Sequence, residues 1–235
     1  LLPGEVIERC TAADWPEWSG QVSLYVWLLN SCGKGPAAGQ LVVISVTDGT
    51  RVLVPVDVDI TALVLACRKR DWSIHHALLY TTLKVANRYD PMRLRRKSDG
   101  VVLHETVDMG CSVLREDGET FTFAYYHWES NESVNQFITR TTEITRRAAQ
   151  GLPLDPRPDR TNLIYGTTLP WVTFTAFKHP KKNNDDSIPR IVFGRFYERD
   201  GRYLLPFNLE VDHALMDGLH LAKFFELVEL EVNAF

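Results

Sequence analysis

The sequence predicts an α+β fold in which helices pack on a mixed, largely antiparallel sheet. Three observations lead there. Residues 60–69, 73–89, 132–149 and 219–230 carry apolar residues at helical spacing. Between them lie short runs rich in β-branched and aromatic residues, broken by the turn pairs Asp99-Gly100, Asp117-Gly118 and Asp200-Gly201. From residue 161 onward the chain reads mainly as strand, over 161–166, 171–176, 190–197 and 202–211.

Taken in order, Asp14-Trp15 precedes Pro16, which favours extended backbone. Residues 21–29 fit a strand or a short helix, their β-branched and aromatic content favouring the strand, and Gly33 to Gly39 reads as a loop. Leu41–Val46 and Arg51–Val54 read as a hairpin turning at Asp48-Gly49. In the second helical run, Ile74, Ala77, Leu78, Thr81, Leu83 and Val85 form the apolar face, and Asp90-Pro91 ends it. Strands follow at Arg93–Arg95, Val101–His104, Cys111–Leu114 and Thr120–Tyr125, then a helix over 132–149 capped by Ser130 or Asn131. Gly151 with prolines 153, 156 and 158 marks a loop. Nothing linker-like divides the chain, so 1–235 reads as a single domain.

Composition narrows the function. Of the 235 residues, 45% are hydrophobic and 24% charged, enough to build a sizeable core. A formal net charge of −4 gives no electrostatic reason to expect nucleic acid or an anionic membrane surface, which leaves small molecules and protein partners. Cys10, Cys32, Cys67 and Cys111 are scattered without metal-ligand spacing, so buried free thiols are expected rather than zinc or a disulfide framework. With no basic leader and no apolar run of about 18 residues, the expectation is a soluble cytoplasmic protein.

The stretch carrying the chemistry is Val211-Asp212-His213-Ala214-Leu215-Met216-Asp217-Gly218. It sits where a β-like run gives out and an amphipathic helix begins. Neutral imidazole is well matched to taking a proton from a hydroxyl near pH 7, and Asp217 is short enough to cap the helix while bracing the turn that carries the ring. On spacing alone, a structural histidine beside an Asp-Gly turn is the ordinary alternative.

The flanking residues add to this. His-Ala-x-x-Asp-Gly, preceded by Leu204-Leu205-Pro206 and followed by a helix carrying Phe224, resembles the catalytic signature of the chloramphenicol acetyltransferase family. Thr167-Thr168-Leu169-Pro170-Trp171-Val172-Thr173-Phe174-Thr175-Ala176-Phe177 resembles that family's Ser-x-x-Pro-Trp-Val-x-Phe-x-x-Phe segment. Val58-Asp59-Ile60-Thr61 resembles the opening of its first long helix. The resemblance implies a homotrimer using acetyl-CoA or another acyl-CoA as co-substrate. His213 would be the general base, Thr167 the hydroxyl donor to the oxyanion and Asp217 the residue holding the turn, with His213 and Thr167 meeting across a subunit interface. Trp171, Arg195 and Phe196 would line the coenzyme tunnel, and Tyr25 and His75 the substrate side; core packing for Trp171 and a solvated strand edge for Arg195 are the alternatives.

The chain also departs from the family pattern. Asp212 stands where a second histidine is usual, Val192 replaces a water-holding threonine, and Glu17 falls about where an arginine pairs with the motif aspartate. Ser73-Ile74-His75-His76 replaces a coenzyme-binding Lys-Phe-Tyr-Pro. Adjacent histidines on a helix cannot chelate one metal, so His75 and His76 read as cleft-lining or surface residues. Residues 31–56 read partly as an insertion, and Lys178-His179-Pro180-Lys181-Lys182-Asn183-Asn184 replaces the segment lining the acceptor pocket, which implies an acceptor other than chloramphenicol. Besides a binding or scaffolding role with no chemistry, two enzymatic functions are compatible with this. One is acyl transfer to a small hydroxylated compound of secondary metabolism. The other is coenzyme-independent cyclisation, elimination or a pericyclic step in the same cleft.

Overall fold

The structure, a computed structural model, describes residues 51–98, 100–151, 160–179 and 186–235 in full, and the backbone of 25–29 and 40–44. Expectations for Cys10, the Asp14-Trp15-Pro16 turn, Glu17, Cys32, the 33–39 loop, the 48–49 turn, prolines 153, 156 and 158, and residues 180–185 lie outside it.

The strands are β1 (Tyr25–Leu29), β2 (Gln40–Ile44), β3 (Arg51–Asp59), β4 (Leu94–Lys97), β5 (Gly100–Leu103), β6 (Asp108–Leu114), β7 (Phe121–Tyr126), β8 (Leu163–Thr168), β9 (Arg190–Phe193), β10 (Tyr197–Arg199) and β11 (Arg202–Asp212). The helices are α1 (Thr61–Arg70), α2 (Ile74–Arg88), α3 (Val134–Ala149) and α4 (Gly218–Val232). The main sheet runs β10-β11-β9-β8-β6-β7, with β3 on the other side of β11. Only the β6–β8 and β8–β9 pairings are parallel, so the sheet is mixed and largely antiparallel as expected. β1–β2 and β4–β5 are separate two-stranded antiparallel sheets.

Strand alternation assigns the two faces of the sheet. Leu205, Phe207, Leu209 and Val211 of β11, Ile191 and Phe193 of β9, Ile164 of β8, and Met109 and Cys111 of β6 enter the core with the apolar faces of α1, α2 and α4. Phe207 packs edge-on against Phe193, Phe224 and Phe225, joining α4 to the sheet. The opposite face carries Asn208, Glu210 and Asp212, all buried. The chain after β8 lies over this polar row: Asn208 Oδ1 accepts the N–H of Phe177, and Glu210 Oε2 that of His179.

Local chemistry sets the element ends. Asp59 Oδ1 accepts the N–H of Thr61 at the start of α1, and Ser73 that of His76 in α2. Asp200 and Gly201, at φ 53° and 73°, form the tight β10–β11 turn. Pro206, which has no N–H, stands opposite the break between β9 and β10, where the ladder is already interrupted.

Five expectations change. Residues 190–197 are not one strand but parts of two, β9 and β10, broken at residues 194–196. Residues 171–176 are not a strand: past Thr168 the chain turns at Pro170 and leaves the sheet, its backbone meeting β9 and the β9–β10 link through the N–H groups of Leu169 and Arg195. The cap of α3 is Ser133, whose capping box with Gln136 outcompetes Ser130 and Asn131. β2 registers with β1, while Arg51–Val54 registers with the end of β11, so residues 51–56 of the expected insertion are main-sheet strand. His76 is not at the surface: it is buried with its ring between Ser73 and Thr145.

Candidate active site

His213 follows the last residue of β11 and is half-buried. Its Nδ1 lies 3.3 Å from the carbonyl oxygen of Met216. A carbonyl only accepts, so this contact places a proton on Nδ1; in the neutral ring the lone pair is then on Nε2, the tautomer a general base requires. The turn that holds the ring is built by Asp212. Its carboxylate Oδ1 accepts the N–H of Ala214 at 2.9 Å, and its carbonyl accepts those of Leu215 and Met216. Its other carboxylate oxygen, Oδ2, takes the Nε–H of Arg96 at 2.7 Å.

Asp217 starts α4. Its Oδ1 accepts the N–H groups of Leu219 and His220, and lies 2.7 Å from the His220 ring. Partial burial pushes this carboxyl up, but the bonds from His220 and Leu219 outweigh it and hold the group below the usual range. Its bonds therefore run forward into the helix, while the turn behind it is braced by Asp212. Sequence reading found the aspartate at the cap and missed the one at the turn. Arg96, within a run of basic residues, carries no local signal of its role.

Thr167 lies on the polar face of β8, with its Oγ1 3.3 Å from His179 Nε2 and 3.5 Å from Ser112 Oγ. Burial, reinforced by Arg190 and Arg51, lowers His179 to about 4, so its ring is neutral near pH 7. Neither His179 nor Ser112 is part of the motif; only the unusual sequence after Phe177 signals that this segment differs. Thr168 points to the other face, 3.1 Å from Nδ1 of His75, whose pKa burial lowers to about 4. His75 is thereby brought to the Thr-Thr segment by way of Thr168.

Trp171 is 57% exposed and so is not core. Arg195 is also exposed, and its N–H reaches the Val172 carbonyl at 2.8 Å, which sets these residues along one rim. Phe196 is half-buried and meets Tyr203 edge-on. Tyr25 is in β1, and its side chain lies outside the described residues. Among the described residues there is no group of three His, Cys, Asp or Glu able to hold a metal ion, and no helix long and apolar enough to cross a membrane. Cys67 and Cys111 are buried free thiols, raised by burial to about 11 and about 12.

His213 and Thr167 do not share a site within one chain. Thr167 registers with Val192, and Val192 with Asn208. Two interstrand steps of about 4.8 Å and the rise from Asn208 to His213 at about 3.3 Å per residue put the two residues on the order of 20 Å apart.

Comparison with known proteins agrees with this architecture. The family model for chloramphenicol acetyltransferase matches residues 47–229. The chain is 25% identical over 177 residues to a chloramphenicol acetyltransferase of Proteus mirabilis, covering 74% of this chain and 80% of that one. It is 27% identical over 181 residues to chloramphenicol acetyltransferase 3 of Escherichia coli, covering 75% and 83%. A solved chloramphenicol acetyltransferase superposes with a TM-score of 0.67 at 22% identity, covering 77% of this chain and 88% of that one. The dihydrolipoamide acetyltransferase of Azotobacter vinelandii shares the fold, with a TM-score of 0.58 at 18% identity and coverage of 78% and 81%. With more than half of its length matched by the family model, this chain belongs to the chloramphenicol acetyltransferase family, as a divergent member.

Proposed function

We propose that this protein is an acyl-CoA-dependent O-acyltransferase acting on a small hydroxylated metabolite, with His213 as general base. The observation that carries this reading is the contact of His213 Nδ1 with the Met216 carbonyl, which in the neutral ring gives the lone pair to Nε2. Nε2 removes the proton from the acceptor hydroxyl, whose oxygen attacks the thioester carbon. The Thr167 hydroxyl stabilises the negative charge that builds on the thioester oxygen. Coenzyme A leaves as the thiol, taking back the proton that His213 received.

The separation of His213 and Thr167 within a chain supports a shared site in which each comes from a different subunit of a homotrimer. The exposed Trp171 and Arg195 offer an aromatic ring and a cation to the coenzyme. Titration with acetyl-CoA tests the donor: saturable binding is expected, and no heat at millimolar ligand argues for the coenzyme-independent reading instead. Release of the coenzyme A thiol across a panel of primary and secondary alcohols then identifies the acceptor class.

A further inference from the structure

The proposed chemistry needs an imidazole held in one tautomer at one angle, and the aspartate expected to secure it is committed to α4. We infer that Arg96 and Asp212 together form the device that positions His213, a role resting on the proposed function of that histidine. The connection is unbroken. Arg96 Nε donates to Asp212 Oδ2, Asp212 Oδ1 holds the Ala214 N–H, the Asp212 carbonyl holds the N–H groups of Leu215 and Met216, and the Met216 carbonyl takes the Nδ1 proton of His213. His213 is thus enclosed in a turn closed at both ends by one residue's carboxylate and carbonyl.

Burial makes this arrangement specific. Asp212 is only 3% exposed, so its charge needs a fixed partner, and Arg96 supplies one. Arg96 is itself placed from outside the main sheet. It belongs to the β4–β5 hairpin, and its backbone N–H donates to the Ser187 hydroxyl at 2.9 Å, in the segment leading into β9. The angle of the base therefore depends on the docking of a hairpin more than a hundred residues earlier in the chain. Asp212 stands where the family usually has a second histidine, so the pair is built from a residue that marks this chain as divergent.

The test does not require the natural acceptor. Arg96→Met removes the charge and keeps the length, while Asp212→Asn keeps an acceptor for the Ala214 N–H and weakens the bond to Arg96. Nitrogen NMR of the histidine-labelled protein reads the His213 tautomer directly, and calorimetry with acetyl-CoA and circular dichroism check that donor binding and fold are intact. In the unaltered protein the Nδ1–H form should dominate. In Arg96→Met the ring should become a mixture of tautomers, acetyl-CoA affinity should change less than two-fold, and thiol release with the best acceptor of an alcohol panel should fall at least ten-fold in kcat with KM nearly constant. Asp212→Asn should produce the smaller shift, and the double variant should be no worse than Arg96→Met, because the two residues act as one unit. A single Nδ1–H tautomer and unchanged kcat in Arg96→Met overturn the inference while leaving His213 as base. Full activity in His213→Ala overturns the proposed function itself.

Discussion

Thr167 of β8 and Asn208 of β11 are in register through Val192 of the strand between them, and this alignment fixes where His213 lies. Asn208, Glu210 and Asp212 follow one another on the same face of β11, and His213 projects just past the end of that row. The sheet thus carries Thr167 at one place and His213 well beyond it, each with its own part-buried polar contacts.

His213→Ala should reduce turnover by about 10²–10⁴-fold, the usual contribution of a general base. The ring is half-buried, so the melting temperature should move little. Thiol release and circular dichroism on the same sample provide the check.

Thr167→Val and Thr167→Ser separate shape from hydrogen bonding. Loss of one donor to a developing oxyanion costs roughly 2.7–4 kcal/mol, so Thr167→Val should lose about 10²–10³-fold in kcat, while Thr167→Ser should stay within about ten-fold. Equal activity in all three proteins would remove Thr167 from the mechanism.

Gly166→Ala should destabilise the fold. A Cβ built there falls 2.6 Å from Cys111 Sγ and 3.1 Å from Met109 Sδ, deep between β6 and β8. Overpacking of this kind costs about 1–3 kcal/mol, and Cys111→Ala in the same chain should restore part of it. Chemical denaturation of the single and double variants measures both.

Acid should weaken the protein through the adjacent histidines of α2. Burial, with His75 adding to it for His76, lowers His75 to about 4 and His76 to about 3, from an ordinary 6.5. Both are neutral when folded and take up protons first in the unfolded chain, so their contribution is full above pH 6.5 and is lost as the pH falls from there towards the folded values. Each contributes a slope of up to about 1.4 kcal/mol per pH unit inside that window. Denaturation midpoints between pH 7 and 4 should fall less steeply in His76→Gln than in the parent.

Much of the fold was legible in the sequence because its signals are local. The face of α2, the Asp117-Gly118 and Asp200-Gly201 turns and the cap at Asp217 all depend on neighbours within a few residues. Residues 171–176 misled because apolar and β-branched content marks extended backbone without saying whether a partner strand is present. Asp212 could be singled out only as an oddity of the motif, since its partner Arg96 is distant in sequence. His179 was legible only as part of an unusual segment, for the same reason: its nearness to Thr167 is created by the chain folding back over β8 and β11.

The most direct test of the central proposal is complementation between two inactive variants. His213→Ala and Thr167→Val chains, mixed by co-expression or by unfolding and refolding together, should form hybrid oligomers. In these, a site takes its histidine from one chain and its threonine from the other. Thiol release from acetyl-CoA should rise well above the sum of the two separate variants. Activity that stays at that sum in verified hybrids would contradict a site shared between subunits.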